Sequence, residues 1–428
     1  MSQSYRAFLK SKQRIHTGRS IDVSALPAVL FDWQAAITKW ALKKGRAAVF
    51  ADCGLGKTFM QLSWAASVPG RVLILAPLCV AEQTVAEGVK LGVPVQYSKT
   101  PIDAPITITN YERLDAFDPS DYAGVVLDES SILKAFDGKT RQKLIETFQD
   151  TTYRLCCTAT PSPNDIAELA NHAEFLGLMT RAEFLATWFV HDDEGWRMKG
   201  HAVQPFYRWL ASWALAVNTP SDIGYSDEGF DLPPLNIHDH ILQSETAHGT
   251  LFPELSVTGI GGRLSARRAS IDDRVAEVSA LANESSDSWL IWCGLNDESD
   301  AIAAAVPDAV NVEGSDSYDD KRKAVEGFIA GDVRVLVSKP KILGFGMNFQ
   351  HCHQMAFVGL SDSYEAYYQC LRRCWRFGQR YAVDAHIVVS EAESIVVENV
   401  RRKQAAAREL SQSLIAHMRD FEREELIA

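Results

Sequence analysis

Ala51-Asp52-Cys53-Gly54-Leu55-Gly56-Lys57-Thr58 decides the fold. The apolar run Ala47-Ala48-Val49-Phe50 precedes it, and a helix-compatible segment from Phe59 to Ala66 follows. Strand, glycine-bearing loop, Lys-Thr and helix in that order make a phosphate-binding loop. The chemistry requires these residue types. Gly54 and Gly56 let backbone N–H groups close on phosphate oxygens, and the helix N-terminus adds a favourable dipole. Lys57 is placed for the β- and γ-phosphates of a nucleotide such as ATP, and the Thr58 hydroxyl for Mg²⁺. Ala51 stands where the first glycine of the common pattern falls.

The rest of the composition sets limits. A chain of 428 residues suits two or three domains, and 46% apolar with 23% charged residues is globular. No run of 18 uncharged apolar residues exists, so no membrane partner is expected. Eight cysteines and no apolar leader core fit a reduced, cytoplasmic protein. The net charge of −12 argues against wholesale polyanion binding but leaves room for a local basic groove. Residues 1–20 carry five basic residues and no acid before position 20, which reads as a solvated terminus or an arm on phosphates.

Other segments carry chemistry in a fixed order. Gln34 lies 23 residues before Lys57, and its amide suits the edge of adenine. Arg71-Val72-Leu73-Ile74-Leu75-Ala76-Pro77 and Ile106-Thr107-Ile108-Thr109-Asn110-Tyr111 read as buried parallel strands ending in polar or turn residues. Gly124-Val125-Val126-Leu127-Asp128-Glu129 delivers two carboxylates at the carboxyl end of a strand. Asp128 would hold Mg²⁺, and Glu129 would orient and deprotonate the attacking water. Leu155-Cys156-Cys157-Thr158-Ala159-Thr160-Pro161 ends another strand. Residues 165–215 look helical and carry four tryptophans, whose simplest role is core packing. Pro233-Pro234 marks a domain boundary, and the strand–helix rhythm resumes at Trp289-Leu290-Ile291-Trp292-Cys293.

Together these segments resemble the motifs of superfamily 2 helicases and translocases. Ala-x-x-Gly-x-Gly-Lys-Thr is the phosphate loop of that superfamily, which also carries a glutamine upstream of it. Ala76-Pro77 and Thr109-Asn110-Tyr111 resemble segments that touch nucleic-acid phosphates. Ser338 to Phe349, with Gly346 and Asn348, resembles motif V, which implies nucleotide contact for Gly346 and nucleic-acid contact for Ser338 and Asn348. Gln369-Cys370-Leu371-Arg372-Arg373-Cys374-Trp375-Arg376-Phe377-Gly378-Gln379 resembles motif VI. Arg373 and Arg376, three apart on one helical face, are then arginine fingers for the γ-phosphate. The Gly-Gln ending and the helical insert are similar to the Swi/Snf-like branch, and the compact chain to its phage or prophage members. One departure stands out: the family continues Asp-Glu-x-His, whereas Ser130 and Ser131 follow here. The usual histidine couples nucleotide state to the nucleic-acid side, so that coupling runs by another route.

The resemblance implies an α/β fold of two RecA-like domains, residues 1–234 with the helical insert and 235–428 with a C-terminal helix. It implies ATP between the domains, Mg²⁺, and movement on DNA, duplex favoured and single-stranded as an alternative. A DNA or RNA helicase tracking single strands and an ATP-gated nucleic-acid clamp are the rival functions. Protein partners in replication, recombination or defence are compatible with so compact a chain. His351, Cys352, His353, Cys370 and Cys374 raise the idea of zinc, but their spacings fit no common finger.

Overall fold

The computed structural model describes residues 19–77, 80–134, 138–162, 165–192, 195–243, 267–344 and 347–427. The basic arm at residues 1–18 and Gly346 lie outside them. Contacts divide the chain into two units, one of residues 1–228 with 406–428 and one of residues 229–405. Among the described residues, no helix is long and apolar enough to cross a membrane.

The first unit is built on a seven-stranded sheet. Its strands are β1 (Arg46–Ala51), β2 (Val72–Ala76), β3 (Val95–Tyr97), β4 (Ile106–Asn110), β5 (Gly124–Asp128) and β6 (Tyr153–Thr158). The antiparallel hairpin β7 (Phe189–Asp192) and β8 (Gly195–Met198) stands apart, and β9 (Ala214–Val217) closes the sheet. The order is β3-β4-β2-β5-β6-β1-β9, every neighbour parallel. The central strands read as unbroken apolar runs because helices cover both faces of a parallel sheet. In β2 all five residues are buried. Crossovers of this kind bring the carboxyl ends of β5, β6 and β1 side by side, where open α/β sheets bind ligands.

The second unit holds β10 (Leu235–Leu242), β11 (Trp289–Cys293), β12 (Ala309–Val312), β13 (Val335–Ser338), β14 (Gln354–Val358) and β15 (Val383–Ser390). The order is β10-β15-β14-β11-β13-β12, again all parallel. Two parallel sheets, each the centre of its own unit, make the chain an α/β protein of two RecA-like domains.

Three features differ from the sequence reading. The stretch 165–215 is not wholly helical. It contains the helices Leu169–Phe175, Arg181–Trp188 and Val203–Ala211, but also the β7–β8 hairpin, and its end becomes β9. Its aromatic residues do pack as a core: Phe184 lies 5.8 Å from both Phe206 and Trp209, and Trp209 5.3 Å from Trp213. The second sheet begins at Leu235, well before Trp289, because the alternating polar pattern of β10 hides an edge strand. The sequence places the boundary at 234/235 and the C-terminal helix with the second domain. The contacts divide the chain at 228/229 and return residues 406–428 to the first unit. Pro233 O accepts from Trp375 Nε1 at 2.7 Å, and Pro234 O from Val383 N at 2.9 Å, so both prolines sit on the second unit.

Candidate active site

The phosphate loop leaves β1 and enters the helix Lys57–Ser67. Ala51 ends the strand, fully buried, and Asp52 N donates to Val217 O of the neighbouring β9 at 3.0 Å. The position that differs from the common pattern is thus still part of the sheet. Gly54 (φ +88°) and Gly56 (φ +72°) take left-handed backbone that other residues avoid. Gly56 is constrained a second time, since a Cβ there would come within 2.4 Å of Gln34 Nε2. The Gln34 amide is part of the loop's support. Its Nε2 donates to Leu55 O at 3.0 Å, and its Oε1 accepts from Phe31 N at 3.1 Å. In the first turn of the helix Lys57–Ser67, Phe59 N and Met60 N donate to Gly56 O at 3.0 and 3.2 Å, and the N–H groups of Lys57 and Thr58 precede the first intrahelical bond. Lys57 Nζ donates to Ala51 O at 2.9 Å and Asp52 O at 3.2 Å.

The carboxylates stand two strands away. Asp128 ends β5, pairs across to Cys157 of β6, and is almost fully buried. Its Oδ1 accepts from Gln61 Nε2 at 2.6 Å, which ties it to the phosphate-loop helix. Its backbone O accepts from Tyr111 OH at 2.7 Å, and burial pushes the Tyr111 phenol well above its ordinary pKa. Glu129 has φ +52°, a left-handed conformation for a non-glycine residue. Thr158 Oγ1 donates to Glu129 Oε2 at 3.4 Å, and Thr160 N donates to Thr158 Oγ1 at 3.1 Å. The strand between the phosphate loop and the carboxylates therefore touches Glu129.

In the second unit, the helix Tyr364–Cys374 ends at Cys374, and Trp375 leaves helical geometry. Arg373 and Arg376 are therefore not on one helical face, as the spacing suggested. They still converge, because Arg373 Nη1 and Arg376 Nη1 donate to the same carbonyl, Met347 O, at 2.9 and 3.2 Å. Arg373 is further fixed on Gln369, with Nε to its O at 2.8 Å and Nη2 to its Oε1 at 2.9 Å. Arg372 points elsewhere, its guanidinium 4.9 Å from the Trp375 ring. Gln379 Nε2 donates to Cys352 O at 2.8 Å and closes the turn after the arginines.

The comparisons with known proteins bear on both units. Residues 274–378 match the helicase conserved C-terminal domain. The chain is also similar to the structure of S. cerevisiae Dbp5 bound to RNA and ADP BeF3, with a TM-score of 0.58 and 11% identity over 90% of this chain and 93% of that one. At that identity the likeness is one of fold. No curated protein matches the sequence.

The expected nucleic-acid contacts fare differently. Thr109 is fully buried inside the sheet, and Tyr111 turns its hydroxyl onto Asp128. Asn110 is buried and donates from Nδ2 to Glu112 Oε2 at 2.8 Å. Ser338 is fully buried and donates to Val312 O at 3.0 Å. Thr109 and Ser338 lie in strands buried on both faces, and Tyr111 opens the turn after β4 with its hydroxyl held inside the first unit. Pro77 follows β2 at the surface, half-buried. Asn348 is half-buried, and its Oδ1 is buried with no hydrogen-bond partner among the described residues. The seven described cysteines are free and buried, and among the described residues no cluster of three or more ligands has metal-holding geometry.

A residue the sequence reading did not single out lies beside the turn that follows Glu129. His172 is fully buried on the helix Leu169–Phe175, with Nε2 3.1 Å from Ser130 Oγ. Burial lowers its pKa to about 3, so the imidazole is neutral. Its only sequence signal is a lone histidine in an apolar helix.

Proposed function

We propose that this protein is a nucleic-acid-stimulated ATPase, a superfamily 2 translocase or helicase. The observation that carries the reading is the alignment of Lys57, Glu129 and Thr158 at the carboxyl ends of three adjacent parallel strands. Phe50, at the root of the loop, pairs with Thr158, and Asp128 with Cys157. The left-handed glycines and the N–H groups of the first helical turn fit a triphosphate. Hard oxygen donors on Thr58 and Asp128 fit Mg²⁺, which when bound would neutralise phosphate charge.

Within this reading, Lys57 exchanges its two loop carbonyls for phosphate oxygens. Gln61 orients the Asp128 carboxylate. Glu129, steadied by Thr158, takes a proton from the attacking water. Arg373 and Arg376 supply the cations that a developing phosphoryl charge needs. Gln34 supports the loop through Leu55 and Gly56 and keeps one lone pair and one N–H for an adenine edge.

For the track we favour duplex DNA, on the Arg-Phe-Gly-Gln ending at 376–379 and the insert before the second unit. RNA, which Dbp5 binds in its structure, is the competing substrate. Displacement of a triplex-forming strand from a blunt duplex tests translocation on DNA. Unwinding of a tailed fork, with no triplex displacement, would instead make the protein a strand-separating helicase.

A further inference from the structure

Glu129 is held in a backbone region that a non-glycine residue keeps only when its surroundings over-determine it. The strand does not do this, because β5 ends at Asp128. The residues after Glu129 form a short 3₁₀ segment, Ser130–Lys134, and that turn is gripped from outside. The helix Leu169–Phe175 supplies the grip at two points. His172 Nε2 meets Ser130 Oγ at 3.1 Å, and Asn171 Nδ2 donates to Leu133 O at 2.8 Å. Asn171 is itself backed by Arg141, whose Nη1 lies 3.4 Å from Asn171 Oδ1 and 2.9 Å from Glu174 Oε2.

The His172 ring reaches further. It sets its edge on Phe50 at 5.3 Å, and Phe50 lies one residue before Ala51, where the phosphate loop begins. One buried side chain thus touches the root of the phosphate loop and the residue following Glu129. Packing alone would be served better by an apolar ring. His172 Nδ1 has no partner among the described residues, so the imidazole carries a desolvation cost that its one hydrogen bond must offset.

We propose that His172 and Asn171 are positioning residues for Glu129, which hold the turn Ser130–Lys134 so that the Glu129 carboxylate keeps its aim, and which link that aim to the helix following the Thr158–Thr160 segment. The proposal rests on the reading of Glu129 as the base. In a chain whose Asp-Glu is followed by Ser-Ser, the imidazole that stiffens this loop comes from another helix.

The test uses the full-length protein and four variants: His172→Phe, His172→Gln, Ser130→Ala and the double variant His172→Phe/Ser130→Ala. His172→Phe keeps the ring against Phe50 and removes the hydrogen bond; His172→Gln keeps a polar group at similar reach. A misaimed base costs about ten- to a hundredfold in rate. We expect His172→Phe and Ser130→Ala each to lower kcat for ATP by about that much, with KM within about twofold. The double variant should be no worse than either single one, and His172→Gln should recover at least half of the loss. Wild-type kcat in folded His172→Phe, or losses that multiply in the double variant, would overturn the proposal. Amide hydrogen exchange over residues 129–134 gives a readout independent of turnover. It should speed up in His172→Phe and return towards wild type in His172→Gln, and unchanged exchange also overturns the proposal. If wild-type protein shows no ATP turnover, the ATPase reading fails, and exchange alone still decides whether His172 holds the turn.

Discussion

Gly56 is constrained twice, by a left-handed φ and by the Gln34 amide. Gly56→Ala should therefore disturb both, and the expected result is loss of ATP binding with little loss of global stability, measured by nucleotide titration and thermal melting. Lys57→Ala should reduce turnover at least ~1000-fold, because a transition-state cation is lost from a site that otherwise stays folded. Arg376→Ala should lower kcat far more than it raises KM, the pattern of a group acting mainly in the transition state. Glu422 offers a residue-scale test away from this chemistry. It is fully buried, and its Oε1 accepts from Ala216 N at 2.7 Å. Burial raises its pKa from 4.5 to about 8. The folded state then holds a proton that the unfolded state releases above pH 4.5, so this group's contribution to stability is full below that pH and is lost as pH rises to 8. Glu422→Gln removes the titration. Its stability relative to wild type should rise between pH 5 and pH 8.5 by on the order of 1–3 kcal/mol in denaturant melts. A constant difference across that range would show that Glu422 is not protonated in the fold.

At the scale of elements, the legible parts were those whose function forces a local pattern. β1, β2 and β5 are buried on both faces and so read as apolar runs, and the residues at the ends of β1 and β5 follow the pattern that the proposed nucleotide site requires. β10 was not legible, because an edge strand needs only half its positions buried, and its Asn236, His238 and His240 imitate a loop. The hairpin Phe189–Met198 was hidden by the aromatic richness of its neighbourhood, which suits a helix as well as a strand. His172 could not be read because its partner Ser130 lies 42 residues earlier, and only the fold brings them together. The C-terminal helix Ser394–Ile427 was placed wholly with the second unit for the same reason, whereas the contacts count only its residues up to 405 there. Leu414, Ile415 and Met418 face the core of the first unit, and His417 stacks on Tyr207 at 4.5 Å. Met418→Ala should cost about 2–5 kcal/mol, as large-to-small changes at fully buried sites do. The faster hydrogen exchange should appear in residues of the first unit; a change confined to residues 229–405 would contradict the packing.

Across the whole molecule, each unit is centred on its own parallel sheet. The first unit brings the phosphate loop and the two carboxylates, and the second brings two arginines sharing the Met347 carbonyl. One helix belongs to both, its first residues counted with the second unit and residues 406–427 with the first. On the proposed function, a net charge of −12 would make any sequence-independent grip on nucleic acid local, through phosphate contacts that weaken steeply with salt. The central claim is that ATP is hydrolysed at the Lys57–Glu129 site and that nucleic acid accelerates it. Steady-state phosphate release by wild type and Lys57→Ala, each with no nucleic acid, single-stranded DNA, duplex DNA and RNA, tests this most directly. The account predicts turnover in wild type that duplex DNA stimulates at least as well as single strands, and none in Lys57→Ala under any condition. Equal phosphate release by the two proteins, or a wild-type rate that no nucleic acid changes, would contradict it.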